Sequence, residues 1–229
     1  MPIFQYGKCI SKVAVGGEEI LRVYRNGKIV FVQDESVATY GLVFTGTQRI
    51  STGVAINPNL RVVVDVIQNA VSVETPLFGG RTSTDAGQWC YMQRGTTNDV
   101  RTDYNTTQAT ITRANVPFGQ RLIIDKTKNV TKINGTERAN PAVASFTSTA
   151  TLCLGSIFTG TTAFTTCFNG TMFSCQVYNN DVLVKDYVPV PLGSTKYSPT
   201  AASQNCMWDK VGKVYATNAG NGSFGIVAV

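Results

Sequence analysis

Residues 173–191 read FSCQVYNNDVLVKDYVPVP, and this stretch decides the fold class. Apolar side chains alternate at Phe173, Cys175 and Val177 and return at Leu183, Tyr187 and Val188, around Asn179-Asn180-Asp181. A period of two puts alternate residues on one face of a strand, and Asn and Asp accept turn backbone, so the segment predicts a β-hairpin. Downstream, Met207-Trp208-Asp209-Lys210-Val211-Gly212-Lys213-Val214-Tyr215 runs into Asn218-Ala219-Gly220-Asn221-Gly222-Ser223-Phe224, a glycine-punctuated turn that ends on an aromatic anchor.

Working outward, the rest of the chain repeats this grammar. Charged residues make up 15% of the 229, and no window sustains a three-four apolar spacing; strands and turns are favoured over helices. The one short helix candidate, residues 140–145, reads better as loop. WCYMQRG from Trp89, the alternation of Thr107, Ala109 and Ile111, and the run Arg121-Leu122-Ile123-Ile124-Asp125 are further strands. Residues 126–134, leading to Asn134-Gly135, predict another hairpin, because both central residues of such a turn need positive φ. Leu152 and Leu154 share a core face, and residues 193–204, polar and carrying Pro199, read as a surface loop. The length suits one large all-β domain or two small ones.

The ending resembles the concanavalin A-like lectin/glucanase (LamG-like) jelly-roll modules of bacteriophage virion proteins. Those modules close with a hairpin, a valine-proline exit, a bulky residue plus aspartate before a glycine turn, and an Asn-Ala-Gly-x-Gly-x-Phe segment. Two upstream blocks match in order. One is Phe44-Thr45-Gly46-Thr47-Gln48-Arg49-Ile50-Ser51-Thr52-Gly53, followed by the Val-rich run Asn59-Leu60-Arg61-Val62-Val63-Val64-Asp65-Val66; the other is Pro76-Leu77-Phe78-Gly79-Gly80-Arg81. The resemblance covers roughly residues 37–229. It implies an all-β, concanavalin A-like jelly-roll sandwich.

The first residues stand apart. ISKVAV, EILRVYR and KIVFV, separated by Gly16-Gly17 and Asn26-Gly27, predict a three-stranded meander whose apolar set is Val13, Val15, Ile20, Val23, Ile29 and Phe31. So small a sheet lacks a core of its own and must dock on something. It is either an extra layer on the sandwich or its copy, or an adaptor; the adaptor reading is preferred. Residues 1–35 are then an attachment segment, residues 36–229 the jelly roll, and Gln33-Asp34-Glu35-Ser36 the joint.

Chemistry is constrained by what is missing. The chain has no histidine, which excludes Ser-His-Asp and Cys-His nucleophiles and histidine-bound zinc. Glucanases of the resembled superfamily place acids at alternating positions on one strand, pointing into the sugar cleft; this sequence has no Glu-x-Asp, and its adjacent acids, Glu18-Glu19 and Asp34-Glu35, lie near turns. No enzymatic activity is expected. Asn179-Asn180-Asp181 and the pair Asp99 and Asp103 read as turn-stabilising groups rather than calcium ligands, so no metal and no cofactor is expected. The cysteines at 9, 90, 153, 167, 175 and 206 contain no CxxC pair and read mostly as reduced thiols, with a Cys167–Cys175 disulfide the open alternative. The net charge is +6, but basic residues are scattered. Lys126-Thr127-Lys128 reads as solvated surface, and no nucleic-acid partner is expected.

No apolar run reaches membrane-span length, and the N-terminus lacks the features of a secretory signal. The expectation is a protein made in the host bacterial cytoplasm and carried on the virion. It is a non-enzymatic structural component, a head or tail fibre or decoration protein, attached to other virion proteins through its N-terminal segment and homo-oligomeric, a trimer being favoured. The alternative is a carbohydrate-binding module recognising host surface glycans. Aromatic platforms for a sugar come from Trp89, Tyr91, Tyr104, Tyr197 and Trp208; the tryptophans fit core positions, which leaves Tyr104 and Tyr197 as the glycan-binding candidates.

Overall fold

A computed structural model of the chain describes residues 39–82, 87–159, 163 and 165–229, together with the backbone of four strands ahead of them. The chain divides into two compact units, Met1–Thr39 and Tyr40–Val229.

The first unit is an antiparallel sheet in the order β1 (Ile3–Gln5), β2 (Lys8–Val15), β3 (Glu18–Arg25) and β4 (Lys28–Gln33). The last three strands coincide with the expected meander. β1 adds a further one through pairs such as Ile3 with Ile10. The expected turns at Gly16-Gly17 and Asn26-Gly27, the joint at residues 34–36 and the side chains of the apolar set lie outside the described residues.

The second unit is an all-β, jelly-roll-like sandwich of two antiparallel sheets. Its strands are β5 (Tyr40–Thr45), β6 (Ile50–Ala55), β7 (Leu60–Gln68), β8 (Thr75–Gly80), β9 (Gln88–Gln93), β10 (Val100–Asn105), β11 (Thr107–Ile111), β12 (Arg121–Thr127) and β13 (Val130–Ile133). They continue with β14 (Thr136–Ala139), β15 (Thr151–Leu154), β16 (Asn169–Asn179), β17 (Val182–Val190), β18 (Cys206–Asp209), β19 (Val214–Ala216) and β20 (Gly225–Ala228). One sheet runs β11-β10-β9-β8-β15-β6; the other runs β14-β13-β12-β7-β16-β17-β18-β19, with β5 paired to the first residues of β16, beyond the reach of β17, and β20 on β5. Among the described residues there is no α-helix, only a short 3₁₀ turn at Arg113–Asn115, and no helix long and apolar enough to cross a membrane.

β7 shows how the alternation becomes a core. Leu60, Val62, Val64 and Val66 are buried between the sheets, while Arg61, Val63, Asp65 and Ile67 point outward and stay partly exposed. Each buried aliphatic side chain contributes about 1.5–3 kcal/mol. Facing them across the interior are Trp89, Tyr91 and Tyr104 from the other sheet. The 173–191 segment forms the expected hairpin β16–β17, with Asn180 and Asp181 at φ of 50° and 62° as the two turn residues. That is the geometry of a type I′ turn.

One detail of the alternation is corrected. The register of β16 against β7 shifts between Met172 and Ser174, so Met172 and not Phe173 joins Cys175 and Val177 in the core despite standing three residues from Cys175. Phe173 lies on the outer face, with the Arg121 guanidinium 4.0 Å from its ring centre. The bulge inserts one residue and inverts the alternation beyond it.

The two sequence blocks that are farthest apart meet. Asn218 Oδ1 accepts from Arg49 N at 3.1 Å, Ala219 N donates to Arg49 O at 2.8 Å, and Asn221 N donates to Thr47 O at 3.1 Å. Buried Gln48 donates to Ser223 O at 3.0 Å and accepts from Thr45 N at 2.8 Å. Phe224 then packs edge-on against Phe44, 4.8 Å between centroids. A Cβ at residue 220 would strike Thr47 O, so Gly220 is required by close approach. The Thr-Gly-Thr-Gln turn and the Asn-Ala-Gly-x-Gly-x-Phe segment are two halves of one clasp closing the sandwich.

Candidate functional site

The outward positions of β7 and β12 carry the most organised polar surface in the sandwich. Arg61 on β7 makes a two-pronged contact to Asp125 on β12, Nε to Oδ1 at 3.0 Å and Nη2 to Oδ2 at 2.8 Å. Its guanidinium sits 5.1 Å from the ring centre of Tyr178 on β16. Arg121 on β12 repeats the device with Asp65 on β7, both bonds at 2.8 Å, and covers Phe173. Fork-shaped contacts of this kind are rigid as well as charged. The Asp125 hydrogen bonds hold the Arg61 guanidinium above its ordinary pKa, and Asp65 does the same for Arg121.

Beside the Arg61 fork the sheet opens into a cleft of about 380 Å³, lined by Arg61, Asp125, Thr127, Lys128, Asn129, Val130, Lys132 and Glu137. The β12–β13 turn builds its end: Lys128 adopts φ of 53°, with Lys128 N donating to Leu60 O at 2.9 Å. The indole of Trp89, from the other sheet, donates to Lys128 O at 2.9 Å. Buried Asn129 donates to Asn140 Oδ1 at 2.6 Å and to Pro141 O at 2.9 Å. The cleft is thus held by the far sheet, by the chain beyond β14 and by its own ladder, the preorganisation a binding site needs. Its size falls within the range of small-ligand pockets.

Directly inside this hairpin lies a group that contradicts the sequence reading of Lys126-Thr127-Lys128 as solvated surface. Lys128 is exposed, but Lys126 is fully buried, at 0% exposure. The alternation of β12 sends Leu122, Ile124 and Lys126 to the interior together. Lys126 Nζ donates to Thr102 Oγ1 at 2.9 Å, Thr102 shares a hydroxyl bond with Thr131 at 3.0 Å, and Nζ stands 4.9 Å from the Trp89 ring centre. Burial pulls its pKa down to about 8, against a weaker upward pull from Cys90 and Asp103.

Of the glycan candidates from the sequence, Tyr104 does not present its ring to solvent. It is 2% exposed, packs edge-on against Phe146 at 5.4 Å and donates to Pro58 O at 3.3 Å. Tyr91 and Trp89 are likewise core residues, and Trp208 is buried. Tyr197 is partly exposed. It lies parallel to Trp208, 8° between planes and 5.8 Å between centroids, while Tyr215 meets the same indole at 4.9 Å. The Tyr215 hydroxyl donates to Ser194 O and Thr200 O, so this cluster pins the 191–205 loop to the edge of the sheet. The two tyrosines singled out are therefore in different places, Tyr104 in the core and Tyr197 on the 191–205 loop, stacked on Trp208.

The remaining candidates are also placed. Asp103 is buried and paired with Arg101 at 2.7 Å, with the Cys90 thiol donating to it at 3.3 Å; Asp99 accepts from Arg113 N at 2.9 Å. Among the described residues no group of three or more His, Cys, Asp or Glu is placed to hold a metal. Cys90, Cys153, Cys167, Cys175 and Cys206 are buried, and desolvation raises all five thiols, Cys206 to about 11 and Cys153 to about 12. Thiols so raised are poor nucleophiles. A second hollow of about 420 Å³ between Thr45, Val73 and Asn169 is lined by hydroxyls and small apolar groups without a charge.

Arg61 and Asp125 were not singled out from the sequence. The available signal was their outward phase in strands whose other residues are apolar, which marks a polar face without saying that two such residues meet.

No family model matches this chain, and neither does any curated protein. Among solved structures it is similar to one from Bacteroides ovatus described as "a putative carbohydrate binding protein", at 11% identity and a TM-score of 0.55, over 95% of this chain and 70% of that one. At that identity the likeness is one of fold, the two-layer all-β sandwich.

Proposed function

We propose that the chain is a non-enzymatic carbohydrate-binding module, and that the cleft beside Arg61 is where a sugar sits. The observation that supports this reading best is the fork of Arg61 on Asp125, its guanidinium backed by the Tyr178 ring, in the lining of a preorganised cleft of about 380 Å³. Planar, fixed donors and acceptors, with the remaining Arg61 N–H groups and the side chains of Asn129, Lys128 and Lys132 beside them, match the hydroxyl-lined edge of a pyranose. The similar fold of a protein described as carbohydrate binding agrees with it.

The jelly-roll resemblance adds the setting. The module, concanavalin A-like in fold, is displayed on a bacteriophage particle as a head or tail fibre or decoration component, residues 1–35 attach it to other virion proteins, and copies of the chain associate, trimers being favoured. The separate four-stranded sheet ahead of Tyr40 favours this arrangement.

A glycan panel probed with the full chain and with Arg61→Ser tests the reading. Spots bound by the wild type and lost in a folded Arg61→Ser support it. A panel silent to the wild type, or binding indifferent to Arg61→Ser, overturns it.

A further inference from the structure

The charges around the cleft narrow the class of sugar. Lys132 stands opposite Asp125 on β12 and opposite Glu137 on β14 in the strand register. Neither carboxylate takes it. Both Asp125 oxygens are engaged by Arg61, and Oδ1 also accepts from Thr127 Oγ1 at 2.8 Å; Glu137 Oε1 accepts from Asn140 Nδ2 at 3.2 Å. Lys128, at the turn, also forms no ion pair among the described residues. Two ammonium groups therefore border the cleft with their charge unspent. The lining holds three cations, Arg61, Lys128 and Lys132, against two carboxylates, Asp125 and Glu137.

We infer that the cleft takes an acidic saccharide, a sugar residue whose carboxylate or sulfate lies between Lys128 and Lys132 while its hydroxyls meet Arg61, which has N–H groups beyond the two given to Asp125. The inference rests on the carbohydrate reading and goes further, to the charge of the ligand. A neutral sugar would leave both lysines without a partner in the complex, whereas an anion recovers charge-assisted hydrogen bonds from them. The fixed left-handed backbone at Lys128, tied down by Trp89, holds the origin of one ammonium arm before the ligand arrives.

The experiment uses the full chain and four probes, titrated calorimetrically at low and at physiological salt: a galacturonan oligomer, a sulfated galactan oligomer, a neutral galactan oligomer and polyglutamate. At least one of the two acidic oligomers binds roughly tenfold or more tightly than the neutral one, and salt weakens it. Which of the two wins identifies carboxylate or sulfate. In Lys128→Ser/Lys132→Ser, whose altered side chains are exposed and whose fold circular dichroism checks, that preference collapses. Equal binding of neutral and acidic oligomers, a preference that survives the double substitution, or polyglutamate binding as tightly as the acidic oligomers each overturns the inference. Neutral binding that is lost in Arg61→Ser but indifferent to the lysines leaves the carbohydrate reading standing and removes the acidic assignment; no oligomer bound at all removes both.

Discussion

Two buried charges in this sandwich have opposite fates. Lys126 lies between the sheets with hydroxyls and an indole for company, and its pKa falls to about 8. Asp209, at the end of β18, is also removed from water, and burial alone would push its carboxyl upward. Yet its pKa is lowered, because Lys185 Nζ donates to Oδ2 at 2.8 Å and the backbone N–H groups of Gly212 and Asp186 donate as well. Val211 N adds a bond at 3.1 Å. Depth is shared; the partner decides the sign.

The largest effect expected from this contrast comes from removing the satisfied charge. Asp209→Ala orphans the amides of the 209–213 turn and leaves Lys185, three-quarters buried, without its counter-ion. The cost is about 3–4 kcal/mol, read by urea unfolding. The pH dependence has a definite sign. A carboxyl whose folded pKa is depressed stabilises the fold above its unfolded value near 3.8, and that contribution is lost as the pH falls through the lower folded value. Acid unfolding of the wild type therefore steepens below about pH 4, and Asp209→Asn flattens it. An unchanged acid limb in Asp209→Asn would remove Asp209 from the account.

Relieving the unsatisfied charge acts in the other direction. Below pH 8 Lys126 is protonated in both the folded and unfolded chain, and the full penalty of burying it applies. Between about 8 and the ordinary 10.5 the unfolded chain holds a proton that the folded one has lost, so stability rises with pH. The interval corresponds to roughly 3 kcal/mol at about 1.4 kcal/mol per pH unit. The raised thiols of Cys90, Cys153, Cys167, Cys175 and Cys206 work against this above about pH 9. The Lys126 part is therefore measured as the difference between wild type and Lys126→Met across pH 7 to 10.5. Lys126→Met, which leaves the Thr102–Thr131 bond in place, is expected to be the more stable protein at neutral pH, with the gap closing as the pH rises. A destabilised Lys126→Met with a constant gap would mean that the amine is held by more than Thr102 and Trp89.

The same contrast explains what could be read from the chain and what could not. The hairpin at 173–191, the Val-rich strand and the Asn134-Gly135 turn are local: a period of two and residues that accept positive φ are written in consecutive positions. The clasp is also legible, because Gly220 and Asn218 answer to backbone geometry, although the partner of each block, the other block, lies about 170 residues away and only folding brings them together. Phase is where local reading fails. One inserted residue at Phe173 moved an apparent core residue to the outer face, where it is buried under Arg121 and not between the sheets. At Lys126 a cation occupied an inward position that periodicity assigns to an aliphatic side chain, and its chemical type argued for solvent while its place in the strand argued for the core. The place won, because Leu122 and Ile124 anchor the register of the whole strand and a slip would turn them both into water. The cleft was illegible for a related reason: Arg61 and Asp125 are 64 residues apart, and nothing local to either marks the other.

Charges left in water complete the series, and they should matter least to the fold. The Arg121–Asp65 fork has the same geometry as a strong pair, two bonds of 2.8 Å, but its side chains are 42% and 19% exposed. Solvent screens such a pair, and the gain competes with the entropy of holding two flexible side chains. A double-mutant cycle over Arg121→Ala and Asp65→Ala should return a coupling of no more than about 1 kcal/mol, smaller still in high salt. The single Arg121→Ala loses a little beyond the coupling, because its guanidinium also shields the Phe173 ring. A coupling as large as the Asp209 effect would mean that this face is dry in solution, covered by another copy of the chain or by a partner, and would move the outer surface of the ten-stranded sheet from solvent-facing to interface.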